Sequence, residues 1–260
     1  MHSLSVAIIT FNEEKNIRAC LQSVAWADEI IVVDGESQDR TIEICREFTD
    51  HIFTRKWPGF AAQKQFALDQ CTHNWVLSLD ADERVRPELA REIQKILNNE
   101  TDEAGYLIAR RSYFLGKWIR HCGWYPGYQV RLFRKSLTRV SDSRVHEGFI
   151  VNGKIGRLEH DIDHFSHPSL HNSLEKLNRY STLEAIDRIE RKKVHWYDFV
   201  FHPLSAFLVK YIGQRGFLDG MHGFLLSWIS AFLKMVLYMK IWLLQRSNSA
   251  ALDKIKEEAL

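Results

Sequence analysis

No Cys-x-x-Cys pair occurs anywhere in this sequence. Its four cysteines, Cys20, Cys45, Cys71 and Cys122, stand far apart, which argues against a zinc site and against a secreted disulfide framework. Cys20, Cys45 and Cys71 lie in apolar or helical contexts, so buried thiols in a reducing cytosol are expected. A Gly-x-Gly-x-x-Gly fingerprint is also missing, which leaves a dinucleotide site without support. Neither sign of charge dominates: 35 basic against 33 acidic residues leave a net +2, too little to argue for nucleic acid as a partner. Internal repeats and low-complexity linkers are absent. The first apolar run, Leu4 to Ile9, is too short for a signal-peptide core and leads straight into polar residues, so no signal peptide is expected. What is present is 260 residues, 45% hydrophobic and 26% charged. That profile fits one large globular domain, or one domain with an appendage.

The sharpest chemistry sits in Trp75-Val-Leu-Ser-Leu-Asp80-Ala-Asp82-Glu83. Trp75, Val76, Leu77 and Leu79 suit a strand covered on both faces. Three carboxylates then follow within four residues. In extended geometry Asp80 and Asp82 point to the same side, and like charges that close repel unless a cation lies between them or one is protonated. A divalent ion with oxygen ligands, Mg²⁺ or Mn²⁺, answers that need and also carries phosphates. The competing reading is an acidic cap on the next helix, which starts at Pro87 and runs to about Leu97.

Earlier segments repeat the strand–helix alternation. Leu4 to Thr10 reads as a buried parallel strand, ending in Thr10-Phe11-Asn12-Glu13-Glu14. Asn12 is placed to cap a helix reaching about Val24, and the glutamates suit its positive end. Glu29 to Val33 is a second strand, stopping at Asp34-Gly35-Glu36-Ser37-Gln38-Asp39. Asp39 is placed to cap a helix from Arg40 to Phe48. A carboxylate at the carboxyl end of a parallel strand sits where open α/β sheets bind ligands, so Asp34 is a candidate acceptor for ribose or base hydrogens; its other reading is a turn residue. His51 to Thr54 makes a weak third strand. The helix Phe60 to Leu68 brings Lys64, a point-charge partner for a diphosphate, just ahead of the acidic strand end.

These motifs resemble the family 2 inverting glycosyltransferases of the GT-A fold. The likeness rests on Leu-Ser-Val-Ala-Ile-Ile-Thr-Phe-Asn-Glu-Glu14, on Val-Val-Asp34-Gly-Glu-Ser-Gln-Asp39 and on Asp80-Ala-Asp82. Trp57-Pro-Gly-Phe-Ala-Ala-Gln-Lys64 and Leu-Ser-Leu-Asp-Ala-Asp-Glu83 are similar to the bacterial lipopolysaccharide inner-core glucosyltransferase branch. The resemblance implies an α/β fold with a mostly parallel sheet flanked by helices. It implies a nucleotide-sugar site of Thr10, Asn12, Glu14, Asp34, Lys64 and Asp80, and a metal held by Asp82, Asp80 and His146.

In the second half, Gly105 to Arg111 and Tyr128 to Phe133 read as further strands. The segment Trp118 to Gly127 is rich in aromatics and glycine. Trp124 and Tyr125 there offer faces for sugar stacking, or pack in a surface loop. Arg131 can turn toward anionic groups, and the resemblance puts its strand beside the acceptor pocket. Val145-His146-Glu147-Gly148 stands where family 2 enzymes carry an acidic pair. Glu147 is the candidate base and His146 an orienting group or metal ligand, with the reverse assignment open. Asp161-Ile-Asp163-His164-Phe-Ser-His167 matches no zinc spacing and reads as a strand end leading into a helix.

The tail changes character. Leu170 to Arg191 reads as an amphipathic helix, and the stretches Trp196 to Leu208 and Gly216 to Leu244 are dense in Phe, Leu, Trp, Met and Tyr. Lysines and arginines interrupt every run before the ~18 uncharged apolar residues of a spanning helix. The pattern suits helices lying in a membrane interface; the competing reading is a packed appendage or dimer interface. Residues 1–165 are thus expected to form the GT-A domain, with 1–100 as nucleotide and metal half and 101–165 as acceptor half. Residues 166–260 form a helical membrane-associated appendage. The implied reaction moves a sugar, glucose from UDP-glucose, onto a heptose of a lipid-anchored inner-core acceptor at the cytoplasmic face of the bacterial inner membrane. The alternatives are transfer to a polyprenyl-linked or polysaccharide acceptor, a nucleotidyltransferase and a non-catalytic sugar-binding scaffold. Against the nucleotidyltransferase, Glu13 and Glu14 stand where a basic loop would meet a triphosphate.

Overall fold

The computed structural model describes residues 2–141, 148–167, 169–189 and 193–246. Two compact units divide the chain: residues 1–111 with 126–165, and residues 112–125 with 166–260.

The first unit opens with β1 (Leu4–Thr10), α1 (Ile17–Ser23), β2 (Glu29–Asp34), α2 (Thr41–Cys45), β3 (Ile52–Thr54), α3 (Phe60–Gln70) and β4 (Trp75–Asp80). It continues through β5 (Glu83–Val85), α4 (Pro87–Leu97) and β6 (Glu103–Phe114), whose last three residues group with the second unit. After β7 (Lys117–Trp118), which belongs to the second unit, come β8 (Gly127–Arg134), β9 (Thr138–Val140), β10 (Phe149–Val151), β11 (Lys154–Arg157) and β12 (Ile162–His167).

The main sheet runs in the order β3-β2-β1-β4-β8-β6-β12-β5. Pairing is parallel from β3 through β4 and antiparallel from β4 to β8 and from β8 to β6. Every residue of β1 is buried, because helices cover both faces of the sheet. Its alternation divides the core. Leu4, Val6 and Ile8 pack with Ile17 and Leu21 of α1 and with Leu89, Ile93 and Leu97 of α4, whereas Ala7 and Ile9 pack with Ala67 and Leu68 of α3. Each fully buried Leu or Ile contributes about 1.5–3 kcal/mol relative to exposure.

Helix α4 follows its sequence closely. Pro87 starts it, Glu88 lies in the first turn and Lys95 in the last, matching the helix dipole. Helix α1 starts later than predicted, because the residues ahead of it are drawn into loop-to-loop hydrogen bonds, and α2 ends at Cys45, short of the predicted Phe48. The thiols of all four cysteines are buried. Burial pushes those of Cys45 and Cys71 up to about 12.

The second unit holds the end of β6 with β7, then α5 (Leu170–Arg188), α6 (Asp198–Leu208) and α7 (Met221–Leu244). Helix α7 packs against both α5 and α6. Its core residues include Leu237 and Ile241, which meet Ala185 and Ile186 of α5. The interrupting lysines do not break α7, which runs on for 24 residues and is long and apolar enough by length and composition to cross a membrane. Those lysines are held inside the unit: Lys234 lies 3.4 Å from Glu184, and Lys240 Nζ donates to Asn178, Ser181 and Thr182 of α5.

Candidate active site

Strand register sets the site. Thr10 pairs with Asp34, and Ile9 pairs with Asp80, so the carboxyl ends of β1, β2 and β4 form one edge. That is the edge at which open α/β sheets bind ligands.

The loops after β1 and β2 are laced together. Asp34 is fully buried, and its carboxylate accepts from Ser37 N at 2.8 Å and Ser37 Oγ at 2.5 Å. Ser37 Oγ in turn accepts from Asn12 N, and Asn12 Oδ1 accepts from Gln38 N, both at 2.8 Å. Asn12 has φ 53°, a left-handed conformation that asparagine tolerates. It therefore bridges two loops and does not cap α1, which begins at Ile17 after Asn16. Glu13 N donates to Thr41 Oγ1, Glu14 N donates to Asp39, and Glu14 Oε2 accepts from Arg40 N. Asp39 lies one residue ahead of the α2 cap position and accepts from Thr41 N. Gly35 is needed here because a Cβ would come within 2.7 Å of the Trp57 ring.

Asp80 is compensated by the protein itself. Its Oδ2 accepts from Arg131 Nη2 at 2.7 Å, and its Oδ1 lies 3.5 Å from Lys64 Nζ. Burial would raise its pKa, but the positive charges of Arg131 and Lys64 outweigh that and hold the carboxyl well below the usual range. Arg131 also donates to Glu83, which is fully buried, with Arg110 3.8 Å from the same carboxylate. Desolvation would lower the Arg131 pKa, but Asp80 and Glu83 reverse this and raise it. Arg131, expected to turn toward acceptor groups, is 1% exposed and braces the acidic turn from behind. Alternation along β8 did send it inward, but inward leads to Asp80 and Glu83.

Strand β12 lies along the same turn. His164 pairs with Glu83 in the register of β12 with β5, and Phe165 N donates to Asp82 O. This leaves His164 Nε2 3.6 Å from Asp82 Oδ2, longer than a hydrogen bond and short enough for one ion to touch both. Among the described residues, no group of three or more His, Cys, Asp or Glu side chains is arranged to hold a metal. Asp82 and His164 are therefore two potential donors side by side, short of a complete metal site among the described residues. His146 and Glu147 lie outside the described residues. Trp124 and Tyr125 belong to the second unit, where Trp124 rests against His167 and Phe114, and Tyr125 meets Trp118 edge-on.

Buried polar atoms at or near this edge that lack a hydrogen-bond partner among the described residues include Thr10 Oγ1, Asp80 Oδ1, Arg110 Nε, Arg131 Nε and both ends of the Gln63 amide. Orphaned buried polar atoms are rare in folded proteins and mark places where a ligand completes the set. Gln63, Glu83, Arg110 and His164 were not anticipated as site residues. For Gln63 a signal existed: it sits beside Lys64 on the buried face of α3. Glu83 and His164 stood in stretches singled out above, the acidic strand end and Asp161 to His167, but only strand pairing brings them and Arg110 to one place.

Comparison with known proteins follows the same line. The profile of glycosyl transferase family 2 matches residues 5–149. The chain is similar to the lipopolysaccharide core biosynthesis glycosyltransferase LpsC of Rhizobium meliloti, 31% identical over 88% of this chain and 90% of that protein. It is likewise similar to an uncharacterized glycosyltransferase of Rickettsia typhi, 31% identical over 93% of this chain and 87% of that protein. Among solved structures, S. aureus TarS 1-349 in complex with UDP-GlcNAc aligns with a TM-score of 0.47 and 16% identity, covering 94% of this chain and 91% of that one.

Proposed function

The chain belongs to glycosyl transferase family 2, and from that premise we propose that it is an inverting enzyme moving glucose from UDP-glucose onto a heptose of a lipid-anchored lipopolysaccharide inner core. The observation that carries this reading is the row of Thr10, Asp34 and Asp80 on adjacent strand ends, with Lys64 beside it and buried polar atoms there that make no hydrogen bond among the described residues.

Each residue then has a role that its chemistry suits. The Asp34 carboxylate would accept hydrogens from the nucleoside, with Thr10, Asn12 and Glu14 around it. Lys64 would offset the diphosphate charge. A bound Mg²⁺ or Mn²⁺ supplies electrostatic stabilisation of the departing diphosphate. Asp82 and His164 fit such an ion among the described residues, with Asp80 and His146 as the further ligands the family resemblance implies. Glu147 would take the proton of the acceptor hydroxyl. A carboxylate with an ordinary pKa of about 4.3 is a weak base at neutral pH, so positioning must carry much of the effect. Trp124 and Tyr125 would present aromatic faces to the acceptor sugar. The likeness to LpsC supports a core-oligosaccharide acceptor, and an acceptor anchored by lipid calls for an enzyme held at the cytoplasmic face of the inner membrane.

Release of UDP from UDP-glucose, with and without core acceptor lipid, tests the reading. Asp82→Asn is expected to abolish acceptor-dependent release while the thermal unfolding curve stays unchanged. Turnover like that of the unaltered enzyme, with Mg²⁺ or Mn²⁺ supplied, would sink the metal assignment. Release from a different nucleotide sugar only would replace the donor.

A further inference from the structure

From Lys193 to Arg246 the chain contains two acidic residues, Asp198 and Asp219, against six lysines and arginines. Both acids are buried, at 2% and 3% exposure. Every exposed fixed charge on this stretch is therefore positive: Lys193, Arg215 and Arg246. Beside Arg215 lie apolar side chains that a soluble surface rarely shows together. At the turn between α6 and α7, Ile212 is 59% exposed, Phe217 48%, Leu218 55% and Met221 67%. The same unit carries a groove of about 420 Å³ lined by Trp196, Phe199, Met239, Trp242 and Leu243, with the Arg246 guanidinium 3.9 Å from the Trp242 ring. Apolar and aromatic surface with cationic residues and no exposed carboxylate among residues 193–246 complements one partner in particular, an anionic phospholipid bilayer.

The turn is not a loose tip. Gly216 and Gly223 are in such close approach that a Cβ on Gly223 would meet the Gly216 carbonyl oxygen at 1.8 Å. It also grips the aromatic segment of the same unit. The Asp219 carboxylate accepts from His121 N at 2.8 Å and Arg120 N at 3.3 Å, and Lys117 Nζ donates to Asp219 O at 2.7 Å. Lys210 Nζ donates to Cys122 O, and Cys122 N donates to Gln214 O. The Asp219 carboxylate thus stands as the partner of two backbone N–H groups of the segment that carries Trp124 and Tyr125.

We propose that residues 212–221 are the insertion tip by which this protein docks on an anionic bilayer, and that Asp219 locks the 117–125 segment to that tip so that docking orders it. The proposal rests on the membrane-side acceptor assigned above, and it goes further by naming the surface and the residue that couples it to the aromatic segment.

Sedimentation with vesicles of phosphatidylcholine alone, or mixed with phosphatidylglycerol, tests the surface. The full-length protein is expected to bind the anionic vesicles at least about tenfold more tightly. The pair Phe217→Glu and Leu218→Glu should remove that binding. Hydrogen exchange tests the lock: amides of residues 117–125 should gain protection on anionic vesicles in the unaltered protein, and not in Asp219→Asn, which keeps the size of the side chain. Equal binding to neutral vesicles, or binding that survives the double substitution, overturns the surface. So does a dimer in solution that the double substitution disrupts. Protection confined to 196–246, or unchanged in Asp219→Asn, overturns the lock. UDP release with a delipidated acceptor, measured on the same preparations, reads the transferase assignment separately. A protein that transfers sugar and ignores vesicles overturns the surface alone.

Discussion

Arg131 Nη2 lies 2.7 Å from Asp80 Oδ2, joining two residues 51 apart in the chain through the pairing of β8 with β4. The same nitrogen reaches Glu83 Oε1 at 2.5 Å. One guanidinium therefore holds together the acidic turn of the proposed donor site, in surroundings where an unpaired charge is costly.

Removing that guanidinium should be felt first in stability. Arg131→Met leaves the Glu83 carboxylate buried, with the Asp80 N–H at 3.0 Å and Arg110 at 3.8 Å as its remaining partners. Breaking a buried pair by deleting one partner costs about 3–5 kcal/mol. Urea unfolding of the variant should show a loss of that size. A loss under about 1 kcal/mol would mean that water already screens the pair.

Gln63 predicts the opposite balance. Its amide is fully buried, with neither end hydrogen-bonded among the described residues. Replacing an unpartnered polar group by an apolar one of similar size is close to neutral or stabilising. Gln63→Met should therefore unfold at the same or higher urea concentration, while the KM for the sugar nucleotide rises about tenfold, the worth of one lost hydrogen bond to a charged ligand. A fall in stability with unchanged KM would make Gln63 a packing residue only.

The pH dependence follows from Asp80. Its folded pKa is depressed, because Arg131 and Lys64 overcome the opposing effect of burial. The unfolded value is about 3.9, so the ionised form contributes its stability fully above that pH and loses it as pH falls toward the folded value. The stability difference between the unaltered protein and Asp80→Asn should be constant from about pH 5 to pH 8 and shrink below about pH 4. A difference that grows on acidification would show that the carboxyl is held neutral in the folded state.

The strands and their ends could be read from residue order alone. Leu4–Thr10, Glu29–Asp34 and Trp75–Asp80 are apolar runs of strand length closed by a hydroxyl or a carboxylate, and α4 announces itself by Pro87 and a four-residue apolar spacing. These signals are local, since a strand covered on both faces or a one-sided helix must show its period in consecutive residues. The family motifs ride on the same strand ends, which is why the alignment of Thr10, Asp34 and Asp80 along one edge was legible. What neutralises Asp80 was not. The order of residues pointed to a bound cation and did not show that the folded chain itself sets Arg131 and Lys64 against Asp80. Nor could the order show that Glu83 is buried, that β12 brings His164 to Asp82, or that Asp219 receives the backbone of residues 120 and 121. Those partners lie tens of residues apart, and their meeting depends on strand register and on which charges are shut away from water. Both are settled by packing of the whole chain, and no short window of sequence carries them.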